Sequence, residues 1–151
     1  MIIDGNLLLD SASAITSSAA SSNVIDLSQQ RDMGVGDDPS LKLLCLVDTA
    51  FTTTNSATLQ VLFQGSTDNN TWDTYAETPV LAAAALVAGA RLFDIDVPRP
   101  APGKSMPRYL RLDYVVGTGV FSTGSVTSAI VLGRDDEPAG GAYPSGFAVA
   151  N

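Results

Sequence analysis

Four polar residues on two alternating segments come nearest to a set that could do chemistry. They are Asp94 and Asp96 in RLFDIDV, and Arg111 and Asp113 in RYLRLDYVV. Residues two apart on a strand share a face, so each segment would present its polar pair on one side. Were the strands neighbours, three carboxyls and a guanidinium would meet on an exposed sheet face. That set suits a carboxylate pair for glycoside hydrolysis, which needs two carboxyls about 5–10 Å apart in a cleft, or an oxygen-lined calcium site. It also suits ordinary cross-strand ion pairs, each contributing about 0.2–1 kcal/mol. The ion-pair reading is favoured, because nothing in the sequence marks residues that would orient the carboxyls.

Other chemistry is thinner still. The chain has no histidine, which removes the commonest general base and metal ligand. Cys45 is the sole cysteine and lies in the apolar run LKLLCLV, the setting of a buried, inert thiol. Asp32, Asp37 and Asp38 surround Gly34 and Gly36 without calcium-loop spacing. They read as a solvated turn, as do Asp135, Asp136 and Glu137. Serines and threonines are plentiful, but no nucleophile elbow, P-loop or dinucleotide fingerprint accompanies them. No enzyme, metal or cofactor is expected.

The elements that position these residues are strands. Arg108 to Val116 alternates, with Leu110, Leu112, Tyr114 and Val116 expected on the buried face; it is taken as the central strand. Ala57 to Gly65 alternates too, placing Ala57, Leu59, Val61 and Phe63 inward. Leu41 to Val47 is almost continuously apolar, as in a strand covered on both faces or at the centre of an interface. The turn Thr52 to Ser56 predicts that it forms a hairpin with the next strand. Arg91 to Val97 should send Phe93, Ile95 and Val97 inward, and Ser125 to Gly133 supplies the last core strand. Asn23 to Leu27 reads as a short strand, and Ser11 to Asn23 as a flexible lead-in or weak edge strand. Pro79 to Ala90 fits a short helix or an irregular strand, and Pro98 to Pro107 a protruding loop. Trp72, after the polar turn Ser66 to Thr71, is read as a core or rim anchor before a ligand-stacking platform. The sum is an all-β fold: an antiparallel β-sandwich of jelly-roll type with extended N- and C-terminal arms. The expected division is an arm over 1–23, the sandwich over 24–133 and a tail over 134–151.

Composition narrows the partners. The chain of 151 residues has 45% hydrophobic but only 16% charged residues, with a net charge of −8; an average domain has roughly 25% charged. A nucleic-acid footprint is absent. Lys42 and Lys104 are the only lysines, so no polybasic membrane patch forms, and no apolar run reaches the roughly 20 residues that span a bilayer. The start, MIIDGNLLLD, lacks the basic region of a signal peptide. The termini carry the clearest interaction signal. Ile2, Ile3, Leu7, Leu8 and Leu9 at one end, and Tyr143, Phe147 and Val149 at the other, lie beyond the expected sandwich. They are candidate partner contacts, the alternative being that they fold back on their own subunit.

MIID, SSNVIDLSQQRDMGVGD, ATLQVLFQGSTDNNTW and RYLRLDY, taken together, resemble the capsid cement (decoration) proteins of tailed bacteriophages, from Met1 to about Gly133. The resemblance implies a non-catalytic jelly roll on the outer surface of the head, made in the host cytoplasm. It implies a homo-oligomer, dimer or trimer, stapling major capsid proteins, with the termini as gripping arms. The alternative from another class is a carbohydrate- or receptor-binding sandwich of a phage tail or virion. It would use Trp72 and Tyr109 as stacking platforms.

Overall fold

In the computed structural model, which describes residues 3–28 and 41–132, the alternation along the central segment decides both of its faces. Leu110, Leu112 and Tyr114 are buried, while Tyr109, Arg111 and Asp113 are only half-buried on the other side. The described strands are β1 (Leu8–Ala14), β2 (Ala19–Ala20), β3 (Ile25–Asp26), β4 (Leu41–Thr52) and β5 (Thr58–Ser66). They continue with β6 (Asp73–Glu77), β7 (Leu81–Ala82), β8 (Arg91–Asp96), β9 (Tyr109–Gly117) and β10 (Thr123–Leu132). One sheet runs β1-β10-β4-β8 and the other β2-β9-β5-β6, with β3 also on β9 and β7 on β5. All pairings are antiparallel.

Counting β2 and β3 as one interrupted strand and setting aside the short β7, the sheets read first-eighth-third-sixth and second-seventh-fourth-fifth. That alternation of strands between two sheets is the jelly roll. The core lies between the sheets. Leu9, Leu43, Val47, Val126 and Ile130 from one meet Leu59, Val61, Phe63, Leu112 and Tyr114 from the other, all at most 1% exposed. Each such side chain contributes about 1.5–3 kcal/mol by leaving water.

Three expectations are corrected. β4 and β5 do not form a hairpin: β4 pairs with β10 and β8, and β5 with β9, β6 and β7. The Thr52 to Ser56 turn carries the chain from one sheet to the other. The arm expected over 1–23 instead contains β1 and β2, which pair with β10 and β9, so both belong to the sandwich. Ile95 sits opposite Leu43 on the inward side but is 38% exposed, because among the described strands β8 is an edge that neighbours only β4. Pro79 to Ala90, open between a short helix and an irregular strand, takes up a little of each: the two-residue β7 is followed by one 3-10 turn over Ala83–Ala85 that seats Leu86 in the core.

Leu41 to Val47 is covered on both faces, as its composition dictates. Leu43, Cys45 and Val47 enter the main core, while Leu44 forms a second cluster with Ala129 and Val131.

One polar knot crosses the core. Asp10 of β1 is 1% exposed. Its Oδ1 accepts from the backbone N–H and hydroxyl of Ser22, both at 2.9 Å. Its Oδ2 accepts from the Tyr114 hydroxyl at 2.7 Å and the Ser128 hydroxyl at 2.9 Å. Tyr114 belongs to one sheet, Asp10 and Ser128 to the other, so the knot ties the two layers together.

Candidate functional site

The acidic constellation does not assemble. β8 lies beside β4 in the four-stranded sheet, and β9 beside β5 in the other. Asp96 pairs with Lys42 directly across from it at 3.0 Å, and Asp94 with Arg91 at 3.0 Å. Arg111 donates from Nε to Gln64 Oε1 at 2.9 Å. Among the described residues no group of three His, Cys, Asp or Glu side chains could hold a metal ion, and no helix is long and apolar enough to cross a membrane. Burial in the core pushes the Cys45 thiol up to about 12 and the Tyr114 hydroxyl above the usual phenol range. Both stay neutral and inert.

Surfaces remain, and two are built from the strand pattern. The first is the outer face of the four-stranded sheet. Positions facing away from the core normally carry polar residues, but Leu44, Ala129 and Val131 there are buried at 1–2% exposure. Ile3 and Leu8 pack on them, with Leu46 alongside. The candidate partner contacts therefore divide. Leu7 and Leu9 are core residues of their own subunit, 5% and 0% exposed, and are not available to a neighbour while β1 is paired. Ile3 and Leu8 lie on the outer face, partly exposed. Ile2, Tyr143, Phe147 and Val149 fall outside the described residues.

The second surface is the outer face of the six-stranded sheet. The turn before Trp72 is set by Asp68, whose Oδ1 accepts from the Thr71 N–H at 2.8 Å, the Asn70 N–H at 2.9 Å and the Ser66 hydroxyl at 2.9 Å. Asn69 takes a positive φ of 59° there, which asparagine tolerates. The turn delivers Trp72 onto Arg111, whose guanidinium lies 4.0 Å from the ring centre. Two residues along β9, Tyr109 carries the Arg108 guanidinium at 4.8 Å. Arg108 grips both carboxyl oxygens of Asp26 at 3.1 Å, which holds that carboxyl well below the usual range. Trp72 is thus half-buried on the outer face against Arg111, outside the core clusters. Beside it, a shallow cavity of roughly 230 Å³ opens between the Ser66–Thr71 turn and the loop at Gly103 to Ser105. It is crossed by the Lys104–Asp73 pair at 3.2 Å.

The Asp68 turn carries a pH test. The N–H groups of Thr71 and then Asn70 lower its carboxyl from 3.8 to about 2. A lowered folded value means that the turn's contribution is complete above 3.8 and is lost as the pH falls through about 2. A carbon-detected NMR titration is expected to give a midpoint near that lower value, with the Asn70 and Thr71 amides moving in step. A midpoint at the ordinary aspartate value would contradict the turn.

Sequence reasoning passed over two features. Asp10 was given no role, yet one carboxyl directly after three leucines was its signal. Gln64, 8% exposed under Arg111, looked like an ordinary outward residue because alternation specifies side and not depth.

The chain was also compared with known proteins. No curated protein matches it. The family model Bbp16 matches residues 9–130, which runs from β1 to β10 and takes in both sheets. With most of its length and all of its described strands but the ends of β1 and β10 inside that match, the chain belongs to the Bbp16 family.

Proposed function

We propose that this protein is a structural virion component: a capsid cement protein that binds the outer surface of a phage head and stabilises contacts between major capsid proteins. The observation that carries the reading is the apolar outer face of the four-stranded sheet. Leu44, Ala129 and Val131 form a cluster on the side away from the core, and the chain's beginning lies across it through Ile3 and Leu8. A sandwich that only had to fold would have little use for a second apolar cluster there. A protein that grips neighbours with its arms would. The scarcity of lysine fits too, since lysines commonly guard sheet edges that other subunits do not cover. Many identical weak contacts on a lattice add up through effective concentration. The likeness of the sequence to cement proteins supports the same role, with a homo-oligomer outside the shell and no contact with nucleic acid or membrane.

The test is co-sedimentation with purified expanded phage heads. The full chain is expected to bind at a fixed ratio to the capsid protein; no binding in any condition sinks the reading. Removing Met1 to Asn6 stops short of Leu7 and leaves β1 intact. It is expected to weaken head binding about tenfold or more while circular dichroism still shows the folded sandwich. A saccharide-binding module is the second reading, favoured by Trp72 and Tyr109 sharing one outer face. Each ring, however, already carries a guanidinium on it.

A further inference from the structure

The outward-facing residues of β9 are, in order, Tyr109, Arg111, Asp113 and Val115. Arg111 is held rigidly: Nε is spent on Gln64 and the guanidinium plane rests on Trp72. Its two Nη atoms meet no acceptor among the described residues. The Asp113 carboxyl likewise has no hydrogen bond or ion pair there. No buried side-chain nitrogen or oxygen among the described residues lacks a partner, so both groups open to solvent. Val115 is 37% exposed, and Leu62, opposite Asp113, is half-buried. Tryptophan, tyrosine and arginine together are the residues that dominate protein–protein contacts.

The order aromatic, cation, anion, aliphatic reads as its own complement when reversed. Consider a two-fold axis in the plane of the contact, crossing β9 at right angles at Leu112. It sets Arg111 against Asp113 of a second copy, and Asp113 against Arg111. The same operation sets Tyr109 against Val115 at both ends. An isologous contact requires this reciprocity. We infer that the outer face of the six-stranded sheet is the contact between two copies of this chain, centred on reciprocal Arg111–Asp113 pairs. The centre of the face is balanced in charge, with Arg108 on Asp26 and Arg111 beside Asp113. The repulsion of two chains of net charge −8 is screened beyond about 8 Å at 0.15 M salt.

The inference supplies the contact for the homo-oligomer in the proposed function, but its readout is mass in solution. Failure of head binding therefore leaves it standing. Light scattering of the full chain in 0.15 M salt is expected to give twice the chain mass of 15.6 kDa, with dissociation on dilution. Arg111→Asp and Asp113→Arg should each weaken the dimer by about a hundredfold, since like charges then face each other. Mixing these two single variants should restore a dimer, because each then meets its opposite, and the double variant should dimerise alone. Unchanged circular dichroism keeps the variants interpretable. Val115→Asp, at an exposed position, should also dissociate the pair if Arg111→Asp disturbs the Trp72 turn. A wild-type monomer at all concentrations overturns the inference, as does a dimer indifferent to Asp113→Arg or single variants that stay monomeric when mixed.

Discussion

Replacing Asp10 by alanine is expected to destabilise the protein by about 3–5 kcal/mol, measured as the shift in a denaturant unfolding curve. The carboxyl receives four hydrogen bonds, and its removal leaves the buried Tyr114 and Ser128 hydroxyls with only the long 3.3 Å contact between them, so at least one donor goes unmet. A buried donor without a partner costs more than the bond it made was worth. Tyr114→Phe removes one hydroxyl and no packing volume, so its expected cost is smaller, about 1–2 kcal/mol. Combining Asp10→Ala with Tyr114→Phe should cost less than the sum, since the second change removes a group the first has stranded. A change within about 0.5 kcal/mol for Asp10→Ala, the range of ordinary surface substitutions, would show that the knot does not hold the layers.

Gly124→Ala should be comparably severe, at about 3 kcal/mol or more. Gly124 has a φ of 143°, a region that side chains rarely enter. An added Cβ would also collide with ring carbons of Phe51. That ring cannot retreat: it is 4% exposed and packs edge-on against Phe121 at 4.9 Å between ring centres. Here β10 and β4 slip register between Thr123 and Ser125, and the glycine lets the phenylalanine fill the gap. Pairing Gly124→Ala with Phe51→Ala should be clearly less damaging than the sum of the two. Strict additivity would place the cost in the backbone alone.

The fold was legible where a side chain's type answers a yes-or-no question about water. Ala57, Leu59, Val61 and Phe63 were expected inward, and all four are buried. Leu110, Leu112 and Tyr114 were as well. What periodicity cannot say is which sheet a strand joins, because the inward faces of both sheets look alike. The Thr52 to Ser56 turn is long enough for a hairpin or for a step between layers, and the second occurs. The same ambiguity broke up the acidic set, since β8 and β9 follow each other in sequence yet lie in different sheets. Ile95 misled because an aliphatic residue on an edge strand can face the core and still meet solvent. Leu7 and Leu9 were read as an arm because the apolar segment is too short to form a core of its own. Pairing of β1 with β10 and the hydrogen bonds at Asp10 make it part of the sandwich core instead.

The outermost pairing of the four-stranded sheet has a consequence for how the molecule is made. Leu8 finds its place opposite Ala129, and β10 must slot between β1 and β4 before that sheet exists. A ribosome therefore releases β1 long before β10, its only strand partner among the described residues, emerges. Until then Leu9 and Asp10 have no layer to close against. Folding of such a chain is expected to be largely post-translational and slow, limited by closure of its longest loop.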